Sequence, residues 1–127
     1  MRLIAPPPDA MNFGQGAAFE PGLVTDLLDL KKEDVSRLSS VAVSSVRYDD
    51  GILAPMRDRL KEVANTINLV ATLFAGDTNK TAAWFKARNP MLGDISPRDM
   101  IRLGRHDRLR KFINGMCCPK TAAEQTA

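Results

Sequence analysis

Arg98, Arg102 and Arg105 recur at i, i+4 and i+7, and Arg108, Arg110 and Lys111 follow closely. On a helix that spacing gathers guanidinium groups on one face. Such a face either stays solvated or forms a basic platform for an acidic partner or a phosphate. Other chemically active side chains are sparse. The one histidine, His106, stands among these cations at a predicted helix start and reads as an exposed residue without a general-base role. The only two cysteines, Cys117 and Cys118, are adjacent, so they can neither staple a fold nor supply four zinc ligands, and they read as reduced thiols. Paired carboxylates on one face, a glycine-rich phosphate loop and a nucleophile–base pair are all missing. The expectation is a protein with no catalytic residue, no metal and no cofactor.

The 127 residues allow one compact domain, and an apolar share of 44% with 26% charged residues is ordinary for a globular chain. Aromatics make up only 6%, which argues against a stacking platform for single-stranded nucleic acid. No apolar run approaches the roughly 18 residues of a membrane span. Pro6-Pro7-Pro8 breaks the opening stretch where a secretory signal would run, so a cytoplasmic location is expected. The net charge is +3, unevenly spread. Glu20 to Asp50 holds four basic and seven acidic residues, whereas Lys86 to Lys111 holds eight basic and three acidic ones. Two halves of opposite charge are expected to meet different partners.

These side chains need elements to position them, and the periodicity predicts only helices. Residues 1–19, rich in Pro, Gly and Ala, read as a flexible arm. Pro21 suits a first helical turn, and Leu23, Val24, Leu27 and Leu28 make an apolar face over 22–29. A second helix is predicted at 32–39, with Val35 and Leu38 inward, and a third at 43–49, with Val46 in the core. Leu53, Met56, Leu60, Val63, Ile67, Val70 and Phe74 then alternate spacings of three and four, which predicts a long central helix over 53–75 stopped by Gly76. Its extra apolar residues favour the middle of a small bundle over a coiled-coil seam. Because the stripe is long for so small a domain, a homodimer is expected. Asp77 caps a helix through Ala87, Asn89-Pro90 breaks it, and Ser96-Pro97-Arg98-Asp99 opens another that runs to Gly104. A last helix over about 106–114 carries Leu109, Phe112 and Ile113 and ends at Gly115, and 117–127 read as a tail. The fold class is all-α, a small helical bundle.

The first three helices have helix-turn-helix grammar over 20–52, with the small Ser40 in the turn. Read that way, Ser44, Ser45, Arg47 and Tyr48 point toward operator DNA, contacting phosphates or base edges. Three features oppose it: Ser40 replaces the favoured glycine, Val43 takes a reader's place, and Asp49-Asp50 would repel phosphate. The alternative is a three-helix scaffold that does not bind DNA.

Residues 76–116 carry an ordered set of turns: Gly76-Asp77, Trp84-Phe85, Asn89-Pro90, Leu92-Gly93, Ser96-Pro97, Gly104 and Gly115. This stretch resembles the toxin-binding domain of the Xre/MbcA/ParS antitoxins, partners of RES-domain toxins, and the helix-turn-helix extends the resemblance loosely back to about residue 20. The family's second glycine after Leu92 is Asp94 here, so that turn is expected to differ. The resemblance implies an antitoxin of a type II toxin–antitoxin pair. It would bind and neutralise an NAD-consuming RES-domain toxin, and bind its own promoter through the N-terminal helices as a dimer or within a larger toxin complex. Toxin contact would then fall on Trp84, Asn89, Arg98, Arg102, Arg105, Arg108, Phe112 and Met116, although core packing is the simpler role for Trp84. The competing reading is a stand-alone transcriptional regulator whose C-terminal helices only dimerise.

Overall fold

A computed structural model describes residues 9–14, 18–49 and 51–117, the last two by their backbone. Among them every regular element is helical. The six α-helices are α1 (Pro21–Leu28), α2 (Lys32–Ser39), α3 (Ala54–Leu73), α4 (Thr78–Lys86), α5 (Pro97–Arg102) and α6 (His106–Cys117). No helix is long and apolar enough to cross a membrane.

The 20 residues of α3 form the axis of the bundle, and α1, α2, α4 and α6 all pack on it. The alternating three-four stripe explains why. Met56, Leu60, Val63, Ile67 and Val70 have no exposed surface, since Val24, Leu28, Val35, Phe85, Leu109 and Ile113 enclose them. Leu53 stays outside, 43% exposed, because it precedes the first helical turn. A single copy of the chain therefore buries the stripe from Met56 to Val70 without a partner.

The helix ends follow their caps. The Asp77 carboxylate accepts the Lys80 N–H at 3.0 Å, and the Ser96 hydroxyl accepts the Asp99 N–H at 3.1 Å. After α5, Gly104 takes a left-handed φ of 79°, Gly104 N–H reaches the Ile101 carbonyl and Arg105 N–H reaches that of Met100. The stop of α3 differs from expectation in one detail. Ala75, not Gly76, is the first left-handed residue (φ 55°), and Gly76 follows it at φ 82° and bonds back to Ala71. α6 also runs past Gly115 to Cys117 instead of stopping there.

Two further expectations are corrected. The helix predicted at 43–49 is a single 3-10 turn, Val43–Ser45, followed by extended backbone at Val46. Three β-branched residues (Val41, Val43, Val46) and two serines make a poor helix. Arg47 then grips Asp49 through two hydrogen bonds of 2.7 and 2.9 Å, and Asp49 also accepts the Gly51 N–H, closing a local turn. The arm expected over 1–19 is not free where it is described. Phe13 is buried in the core, and the Asp9 carboxylate accepts the Phe13 and Gly14 N–H groups. Asn68, buried on α3, accepts the Met11 N–H at 3.0 Å and donates to Asp9 at 3.2 Å.

Candidate functional site

The cationic stretch 98–111 is divided by the Gly104 turn, so Arg98 and Arg102 belong to α5 while Arg105 precedes α6. The single face expected for the three arginines does not form. Arg98 donates to the carbonyls of Leu28 and Asp29 at the end of α1. Arg102 pairs with Asp34 of α2 at 3.2 Å and with Asp99 at 2.9 Å, and its own carbonyl accepts from Arg37 at 2.8 Å. Both arginines are thus fastenings between α5 and the first two helices. Asp34 sits in the middle of this network with its side chain 5% exposed. Burial pushes its carboxyl up, but the Lys31 N–H and the Arg102 and Arg37 guanidiniums outweigh burial and hold it below the usual carboxylate range.

Past Gly104 three of the four cations face outward, while Arg110 reaches Thr66 on α3. Arg105, Arg108 and Lys111 are exposed at successive spacings of three, and none of them pairs with a carboxylate among the described residues. The opposite face of α6 places Leu109 and Ile113 fully in the core, with Phe112 half-buried between the two environments. Leu103, just before the turn, is 54% exposed. This corner joins an apolar side chain to three free cations on a helix held from behind. It can bind an acidic surface, since its guanidiniums need no internal bond broken first.

The loop between α4 and α5 is closed by Asn89. Its side chain accepts the Met91 N–H at 2.9 Å, its N–H reaches the Ile95 carbonyl, and its own carbonyl accepts from Leu92 and Asp94. These bonds lift Met91 out to 77% exposure. Gly93 and Asp94 both take left-handed backbone (φ 85° and 66°), so the aspartate adopts the geometry a glycine would favour. Asn89 therefore shapes the loop from within it. Trp84 is half-buried against the core, its ring edge-on to the fully buried Phe85 at 5.1 Å. The side chain of Met116, and Cys118, lie outside the described residues.

The four side chains expected to face DNA do not share a helix face, because their helix is one turn. Arg47 is occupied by Asp49, whose carboxyl it holds down to about 2. Tyr48 lines a groove of about 570 Å³ with Phe19, Leu23, Asp26 and Ile52. His106 also departs from expectation. It is 2% exposed, with its Nε2 2.8 Å from Thr66 Oγ1 on α3. Burial, then the Arg59 guanidinium, push its pKa below the ordinary histidine value. A signal for this was present: Thr66 occupies an inward position of α3 amid apolar residues and needs a polar mate.

No protein-family model, no curated protein and no solved structure matches this chain.

Proposed function

We propose that the chain is a non-catalytic binding module, the antitoxin of a type II toxin–antitoxin pair, which neutralises a RES-domain, NAD-consuming toxin by direct contact. What carries the reading is the α5–α6 corner, where the side chains of Leu103, Arg105, Arg108 and Lys111 are exposed and the three cations form no ion pair among the described residues. The ordered turns of 76–116 support it, since Asn89, Ser96 and Gly104 each do a turn-forming task consistent with the resembled pattern. Operator binding by Ser44, Ser45, Arg47 and Tyr48 has lost its recognition helix and is not carried forward, nor is the stand-alone regulator that depended on it.

A toxin cleft that takes the NAD pyrophosphate suits positive charge. Arg105 and Arg108 would therefore rest on acidic groups at its rim, with Phe112 and the end of α6 nearer the opening. The test is co-expression with a RES-domain toxin encoded beside this chain, reading growth, cellular NAD and co-purification. Wild type should restore growth and co-purify, and Arg105→Glu/Arg108→Glu should lose both while remaining folded. Full protection by the doubly reversed protein would overturn the assignment of this corner. Truncation after Leu103 is not a clean alternative, because removing α6 strips Leu109 and Ile113 from the core.

A further inference from the structure

Buried polar groups normally find partners, and those that do not call for a reason. The imidazole of His106 is such a case. Thr66 Oγ1 has one proton, which it donates to the Glu62 carbonyl at 3.1 Å, and Arg110 Nη1 reaches the same oxygen at 3.3 Å. With that proton directed to Glu62, the 2.8 Å contact is assigned as a donation from His106 Nε2 to Thr66. The ring is then neutral with its proton on Nε2, and Nδ1 is left as a bare acceptor with no hydrogen-bond partner among the described residues. Its nearest carboxylate oxygen, Asp107 Oδ1, is 3.8 Å away on a side chain 87% exposed.

The surroundings decide what a second proton would do. On α3, the Arg59 guanidinium faces the ring, partly balanced by Glu62, which it binds at 2.7 Å. On α6 itself, Asp107 favours the charged ring and Arg110 opposes it. The third neighbouring element, α5, turns its charges Arg98, Asp99 and Arg102 toward α1 and α2 or toward one another. A buried imidazolium would thus sit with two cations and two carboxylates, and without the water that stabilises charge. Asp107 and Glu62 are both largely solvated, 87% and 56% exposed, so their help is screened. In water the same ring would have both nitrogens bonded.

We propose that His106 is a proton-operated latch for α6: neutral, it holds the helix against Thr66 of α3, and protonated, it loosens that hold so that the helix opens more often. The sign follows from linkage. A histidine whose folded pKa lies below its unfolded value of about 6.5 holds its full contribution above that pH. It loses that contribution progressively as the pH falls from about 6.5 toward the folded value. No other side-chain type ordinarily titrates between pH 5 and 7, so the window belongs to this residue. Release of α6 would also dismantle the corner assigned above to toxin contact. That consequence rests on the proposed function, whereas the latch does not.

Because the chain has a single histidine, its imidazole resonances can be followed by NMR without assignment ambiguity. Amide hydrogen exchange on the full chain, without any partner, supplies the structural readout. The expected result is an imidazole midpoint below 6.5. Exchange of the 107–115 amides, corrected for intrinsic rates, should rise by up to roughly tenfold between pH 7.5 and 5.5, with α1 and α4 unchanged. His106→Gln, which keeps a donor toward Thr66 but takes up no proton, should show no such rise. A midpoint at or above 6.5, or an equal loss of protection in every helix, overturns the latch. Should the glutamine variant not fold, the wild-type titration and exchange map decide the matter alone. Failure of toxin neutralisation would leave these readings untouched.

Discussion

Arg102→Gln tests whether the cationic stretch holds the fold together or only presents charge. The substitution leaves Asp34 buried, with the Lys31 N–H at 3.0 Å and Arg37 at 3.4 Å but without its ion pair at 3.2 Å. Removing one partner of a fully buried pair costs about 3–5 kcal/mol, and a hydrogen bond to a charged group contributes about 1.5–3 kcal/mol. Arg102 is 36% exposed and water can reach the vacated site, so the loss should fall to about 1–2 kcal/mol. With a urea slope of about 1–3 kcal/mol per molar for a small domain, the midpoint should drop by roughly 1 M at pH 7. The pH dependence gives a second check. The folded-state pKa of Asp34 is lowered, so its contribution is present above the unfolded carboxylate value and lost as pH falls through the folded one. The gap between wild type and variant should therefore narrow below about pH 4, as the carboxyl becomes neutral and stops needing the guanidinium. Arg108→Gln, on the exposed side of the same stretch, should stay within about 0.5 kcal/mol of wild type. Equal midpoint shifts for the two variants, or a gap that does not narrow as the pH falls below about 4, would refute the assignment of Arg102 to the interior.

Ala75→Gly should raise stability by about 0.5–1 kcal/mol in the same urea assay, because left-handed backbone strains any residue with a Cβ and only part of the gain is returned as chain entropy. Asn68→Ala should cost about 1–2 kcal/mol and speed proteolysis within 9–14, since the buried amide is what ties Met11 and Asp9 to α3. Met91→Ser should leave the urea midpoint within about 0.5 kcal/mol of wild type, its side chain being almost wholly in water. A drop beyond that would show that the loop packs Met91 inward.

The elements legible in the sequence are those whose signal is local. The α3 stripe, the Asp77 and Ser96 caps and the Gly104 stop each depend on neighbours within a few positions, and each stands where periodicity and cap chemistry put it. The 43–49 segment misled for a physical reason: one inward valine at a plausible spacing suggested a face, while the β-branched run and the Arg47–Asp49 clasp decided the backbone. The arm is not legible as ordered because its low apolar content conceals one large buried residue, Phe13, and one remote polar anchor, Asn68. A buried asparagine 55 positions from Phe13 has no local signature.

The site was less legible than the fold, and the charge asymmetry shows why. An acidic first half and a basic second half were read as surfaces for two different partners. In the folded chain much of that opposition is satisfied internally, Asp34 against Arg102 and the end of α1 against Arg98. Composition counts charges without knowing which of them face each other, and a three-dimensional contact 65 or more positions apart, such as Arg37 to Arg102, is invisible to it. Once these internal pairs are set aside, the positive excess is concentrated beyond Gly104, in Arg105, Arg108 and Lys111. The turn that ends α5 thus separates arginines that hold the bundle together from cations left free to bind. An interaction assay that mutates the whole stretch would confuse the two. Reversing charge on only the α6 side keeps stability constant while it removes the attraction, so loss of binding there reports contact and not unfolding.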